Sequence, residues 1–186
     1  MLLISCSTPN KPQNTFTDWT LDTNNSQLSF ISTKNKTISE THQLTFKDGS
    51  INSGAFVDLI IDLNQVETHI EIRNQRVKDL LFQTDRYPTA RIKAQLPENL
   101  VLGTTMDIRF ELDLHGITKE LSVPVMAQMV DEKLTVINYQ PITIQAKDFD
   151  LDAGLNQLTQ VAKLQAISYE VPVDFKLVFN KISTTN

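Results

Sequence analysis

The chain has 186 residues, about one domain, and is long enough to bury a substantial core. Its 17 basic and 22 acidic side chains give a formal charge of -5, which argues against nucleic acid as a partner, since phosphate backbones demand a basic stripe. The sequence holds no run approaching the roughly 18 apolar residues that cross a bilayer as a helix.

The N-terminus carries the one cysteine of the chain, Cys6, closing the run Leu3-Ile4-Ser5-Cys6. This resembles the bacterial lipobox, in which an apolar residue three before the cysteine and a small residue just before it set up lipidation and cleavage. A secretion signal also needs a basic segment and an apolar core of some 7 to 15 residues. Only Met1 to Ile4 precede the small residue, so either the start lies upstream or the signal has been clipped. The alternative is a lone thiol in a frayed terminus. Residues 7–17 are polar and include Pro9 and Pro12, as a tether should. About ten flexible residues reach roughly 17 Å, enough to hold a domain just off a membrane. The expected organisation is therefore a lipobox remnant and tether over 1–17, followed by a folded domain over 18–182.

From Trp19 onward the pattern is mostly strands. Residues 26–34 place Leu28 and Phe30 on one face, 42–46 do the same with Leu44 and Phe46, and Lys47-Asp48-Gly49-Ser50 is expected to turn. Residues 54–63 are apolar on both faces, which predicts a strand covered outside as well as inside. A helix over 73–83 follows from Val77, Leu80 and Leu81, with Arg76 and Lys78 on its polar side. Residues 87–95 are again strand-like.

The clearest segment is 105–129, where apolar residues take every second position on either side of a glycine turn. Met106, Ile108, Phe110, Leu112 and Leu114 alternate with polar neighbours, and after Gly116 the pattern resumes as Leu121, Val123, Val125, Ala127 and Met129. Such alternation means antiparallel strands with one dry face and one wet face. Strands over 134–146 and 169–179 complete a set of eight or nine, the last with Val171, Val173, Phe175, Leu177 and Phe179 on one face. Between them a second helix is expected over 152–166, with Asp152 as N-cap and Leu151, Leu155, Leu158 and Ala162 on one stripe, read as lying over a barrel end or wall in preference to a membrane-surface or partner-binding face. Short turns favour an up-and-down meander, and eight strands can close around side chains or one slender ligand.

No Gly-x-Ser-x-Gly elbow, phosphate-binding loop, His-Glu-x-x-His or Cys-x-x-Cys occurs, and five glycines leave little material for a phosphate cradle. His115 with Asp113, and His69 with Glu67 and Glu71, could each share a strand face. They read as solvated strand ends rather than catalytic or metal sites, since a metal wants three or four converging ligands. The expectation is a non-enzyme without catalytic residues, metal or cofactor.

Several segments together resemble the YceI-like family of periplasmic polyisoprenoid-binding proteins. These are Trp19-Thr20-Leu21-Asp22 with Ser26 to Phe30, Val66-Glu67-Thr68 through Arg73, Leu80-Leu81-Phe82, Tyr87-Pro88-Thr89-Ala90, and Leu114-His115-Gly116-Ile117-Thr118-Lys119. Ala146-Lys147-Asp148-Phe149 stands where the family carries Arg-x-x-Phe-Gly, with arginine and glycine replaced. Residues 151–167 look like a helical insertion. The resemblance implies a lipocalin-like extended barrel with helices outside and a long apolar cavity for a polyprenyl chain. The inward residues Phe30, Phe46, Ile108, Phe110, Leu112, Val123, Val125, Phe175 and Leu177 would then line it, with a packed, filled barrel as the opposing reading. The implied function is sequestration or transport of an amphiphilic lipid, such as an isoprenoid, in the periplasm, with anchoring to the membrane through Cys6. Ser7 after Cys6 is compatible with outer-membrane sorting. Two rivals stand beside this. One is an interaction module whose helix exposes Leu151, Leu155 and Leu158 to a partner or to a second copy in a homodimer; the other is an enzyme using His115 and Asp113.

Overall fold

The alternating pattern folds into ten antiparallel strands in a single sheet. The computed structural model describes residues 17–182; Cys6 and all but the last residue of the expected tether lie outside the described residues. The strands are β1 (Trp19–Leu21), β2 (Gln27–Lys34), β3 (Ile38–Ile51), β4 (Phe56–Glu67), β5 (Thr89–Gln95), β6 (Thr105–Leu114), β7 (Ile117–Val130), β8 (Lys133–Asn138), β9 (Ile142–Gln145) and β10 (Glu170–Lys181). From β2 to β8 each strand pairs with its sequence neighbour, and β10 pairs with both β8 and β2. Eight strands therefore close on themselves and leave no open edge on the ring. Two strands lie off it: β1 bridges β10 and β3, and β9 pairs with the start of β10.

Helical segments occupy one end of this mainly β fold. Between β4 and β5, α1 (Glu71–Arg76) continues directly into a π-helical turn, Val77–Phe82, which stops where Gln83 takes a left-handed conformation. Between β9 and β10, a 3-10 turn (Ala146–Phe149) leads into α2 (Asp152–Val161).

The structure corrects several expectations. Lys47-Asp48-Gly49-Ser50 is not a turn: β3 runs straight through it with a bulge, because Phe46 pairs with Ile61 while Asp48 pairs with Ile60, leaving Lys47 as the extra residue. The bulge switches the parity of the inward face, which is buried at His42 and Phe46 and then at Gly49 and Ile51. Over residues 56–63 of β4 only the face of Val57, Leu59, Ile61 and Leu63 is buried, and Ile60 on the outer face is half-buried, so no layer seals it from outside. The strand expected over 134–146 breaks into β8 and β9. The second helix stops at Val161 rather than 166. The chain beyond it is fixed instead by Asn35, whose side-chain oxygen accepts from the backbone N–H of Gln165 and of Ala166, and by a bridge from Ile167 to Lys34. Asp152 is the first helical residue, not the cap, which falls on Leu151.

Leu151, Leu155 and Leu158 point into the fold and are at most 8% exposed, so the exposed apolar stripe required by the interaction-module reading does not exist. Each such leucine contributes roughly 2 kcal/mol on burial. Helix α2 settles closely on the π-helical turn at Gly154, where an added Cβ would lie 2.4 Å from the Leu80 carbonyl oxygen and 2.8 Å from the Leu81 Cα. Only glycine permits this approach.

Candidate functional site

The inward residues do not meet across the barrel axis. One chamber of about 340 Å³ lies toward β1, walled by Trp19, Phe46, Ile108, Val123, Val125 and Leu177 among others. A second, of about 580 Å³, lies toward the helices, walled by Phe30, Leu112, Phe82, Leu151, Leu155 and Leu158 among others. Leu28, Ile92, Phe110 and Phe175 line both, so these four side chains stand where the two chambers adjoin. Volumes of this size fall in the range of small-molecule sites. Phe30, Phe110 and Phe175 face inward yet are only half-buried, because their accessible surface belongs to the chambers.

All nine inward residues named from the sequence lie in these walls: Phe46, Ile108, Val123, Val125 and Leu177 in the smaller chamber, Phe30 and Leu112 in the larger, Phe110 and Phe175 in both. A barrel filled by its own side chains is therefore not the structure adopted.

The sequence reading missed the polar end of the larger chamber. The inward face of β2 runs Leu28, Phe30, Ser32, Lys34, and that of β3, paired with it, runs Leu44, His42, Glu40, so both strands change from apolar to polar toward the same end, β3 at His42 opposite Phe30 and β2 one pair later. Lys34, His42, Thr68, Arg73, Arg76 and Lys163 line this chamber, and no aspartate or glutamate does. Glu40 bridges Lys34 and Arg73, the latter with Nη1 at 2.6 Å from Oε2, and Arg73 also donates to the Thr68 carbonyl. The Lys34 contact, seconded by the charge of Arg73, holds the Glu40 carboxyl below its ordinary range.

His42 is 4% exposed and stacks edge-on against Phe30 at 5.3 Å. Its Nδ1 and the Arg73 Nε are buried without a hydrogen-bond partner. Burial first, and then the positive charge of Arg73, lowers the His42 pKa below 6.5. The unfolded chain therefore binds this proton at a higher pH than the folded one, and stability falls as pH drops below 6.5. Melting temperature is expected to decline between pH 7 and 5, and to decline less in His42→Leu; identical slopes in the two proteins would contradict the assignment.

The other histidines are structural or solvated. His115 and Gly116 both have positive φ, 56° and 78°, and make the two-residue β6–β7 turn. The His115 ring lies 4.4 Å from Tyr87, and its Nδ1 is 3.1 Å from the Phe149 carbonyl oxygen. That Phe149 is 1% exposed and closes the 3-10 turn, with Asp150 left-handed at φ 53° where the family pattern has glycine. Asp113 is exposed on the outer face, opposite Arg91 and Thr118. His69 is exposed, and its backbone N–H donates to Glu67. Among the described residues no three His, Cys, Asp or Glu side chains converge as metal ligands.

The comparisons with known proteins agree with this geometry. The family described as YceI-like domain matches residues 19–179. A polyisoprenoid-binding domain from Saccharophagus degradans, implicated in plant cell wall breakdown, is 34% identical, with 88% of this chain and 98% of that chain covered at a TM-score of 0.82. BcnA from Burkholderia cenocepacia shares the fold at 17% identity, with 85% and 98% covered and a TM-score of 0.65. A YceI protein from Campylobacter jejuni shares it at 12% identity, with 82% and 84% covered and a TM-score of 0.51. Among curated proteins none matches. With its motifs in order along a closed barrel and the family match running from the first barrel residues to the last strand, the chain belongs to the YceI-like domain family.

Proposed function

We propose that this protein binds and carries a long-chain amphiphilic lipid of the polyisoprenoid class and performs no chemistry on it. The observation that carries this reading is the pair of apolar chambers that adjoin at Leu28, Ile92, Phe110 and Phe175, which in this reading form a neck the lipid passes. A chain threaded through that neck exchanges water for hydrocarbon along its length. An isoprene unit contributes on the order of 3 kcal/mol before ordering costs, so a few units outweigh the cost of association. The polyisoprenoid-binding domain 34% identical to this chain supports the choice of ligand class. The placement of His115 and Asp113, on a turn and on the outer wall, supports a non-catalytic role.

The same reading makes residues 18–182 the carrier domain and places it in the bacterial periplasm, tethered by 7–17 to a lipid on Cys6. The lipobox-like run Leu3-Ile4-Ser5-Cys6 supports the anchor, and Ser7 supports the outer membrane as its site. Among the described residues no helix is long and apolar enough to cross a membrane. A native N-terminus carrying the mass of acyl chains on Cys6 is the expected result; an unmodified thiol contradicts it.

Titration of delipidated protein with prenyl alcohols of increasing length tests the carrier reading. Affinity is expected to climb steeply with each isoprene unit until the chambers are full and then to level off. Affinity independent of chain length would overturn the reading.

A further inference from the structure

We propose that the larger chamber selects a lipid with an anionic oxygen headgroup, a phosphate or a carboxylate, seated among Lys34, His42, Arg73, Arg76 and Lys163. The inference rests on the carrier reading and specifies its ligand. In a chain of net charge -5, the walls of this one chamber include four Lys or Arg side chains and no carboxylate. Glu40 is the single acid shared by Lys34 and Arg73, so the cluster keeps a net positive charge after that pairing. Among the described residues no carboxylate forms an ion pair with Arg76 or Lys163.

The second observation is the pair of buried polar atoms without partners. The His42 side chain is only 5% exposed and lines the chamber with Nδ1 unpaired, and the Arg73 Nε beside it is an unpaired donor. Leaving such atoms dry and unpaired costs about 1–3 kcal/mol each, a cost that a ligand oxygen accepting from them would remove. A guanidinium donor next to further cations fits an oxyanion far better than an alcohol. The polar level of β2 and β3 sits at the helix end, and the apolar walls of the same chamber lead from it to the four residues shared with the smaller chamber, so a lipid seated by its head there directs its tail into apolar surroundings.

Binding of geranylgeranyl phosphate, geranylgeranoic acid and geranylgeraniol to the delipidated full chain, with inorganic phosphate as competitor, tests this. At low ionic strength both acidic lipids are expected to bind at least tenfold tighter than the alcohol, the tighter of the two identifying the head. That gap is expected to shrink as salt is raised and in the double variant Arg76→Gln, Lys163→Gln. The His42→Leu variant is expected to discriminate less and to melt no lower at pH 7 than the parent. If His42→Leu fails to fold, the double variant still decides. Equal affinity for the three lipids overturns the headgroup inference and leaves the carrier reading standing. Inorganic phosphate binding as tightly as the lipid phosphate overturns it in favour of a free-anion site. Failure of all three lipids to bind overturns the carrier reading and this inference with it.

Discussion

Replacing Phe110 by tryptophan is expected to weaken a long prenyl lipid at least a hundredfold while changing the affinity of a short one by less than about threefold. Phe110 faces both chambers, so the larger indole narrows the neck without filling either space completely. A chain long enough to pass the neck then loses the burial of at least one isoprene unit, on the order of 3 kcal/mol gross, and each 1.4 kcal/mol is tenfold in affinity. A short chain accommodated on one side loses little. Because the added atoms enter empty space, the cost in stability is expected to stay below the 1–3 kcal/mol usual for overpacking a filled core. Calorimetric titration with a short and a long prenyl alcohol, beside a melting curve, checks all three statements. Equal weakening of both lipids would mean that the chambers are not traversed by one chain.

Gly154→Ala is expected to destabilise the protein by about 2–3 kcal/mol, although helix propensity alone predicts a gain of about 1 kcal/mol for that exchange. The two effects have opposite signs and the structure decides between them. The new methyl would lie 2.4 Å from a backbone oxygen of the π-helical turn, an atom that cannot swing aside as a flexible side chain would. Helix α2 must therefore lift, and with it Leu151, Leu155 and Leu158, which wall the larger chamber. A fall in melting temperature of roughly 5–10 °C is expected for a domain of this size, together with faster release of bound lipid. A raised melting temperature would show that α2 has room to spare.

Much of the barrel was legible because one side of each strand is dry and the other wet. Alternation through Met106 to Leu114 and Leu121 to Ala127 gave the hairpin, and the inward phenylalanines follow from it. Closure was expected from a meander of about eight strands joined by short turns, and the structure achieves it through β10, which pairs with both β8 and β2. The misread turn at Lys47 to Ser50 shows the limit of local chemistry. Lysine, aspartate, glycine and serine suit a bulge as well as a reversal, and only the pairing across to Ile60 and Ile61 distinguishes them. The stripe of α2 was legible as apolar and as the face laid over the barrel; its close seat was not, since that depends on Gly154 meeting a π-helical turn distant in sequence.

The polar end of the site was half legible. His42 shares the alternation of Leu44 and Phe46, and Lys34 that of Leu28 and Phe30, so a pattern counting polar inward positions finds both. Arg73 and Arg76 come from a helical crossing and Lys163 from the loop after α2. Their approach to β2 and β3 is a matter of tertiary packing that no local spacing encodes.

A barrel that serves as a carrier retains its lipid when isolated from cells that make one. Mass spectrometry of an organic extract of the protein, purified without detergent, is expected to show a single class of long unsaturated chains, with homologues spaced by five-carbon units, at close to one molecule per chain. An extract of folded protein that contains no long-chain lipid would contradict the carrier reading.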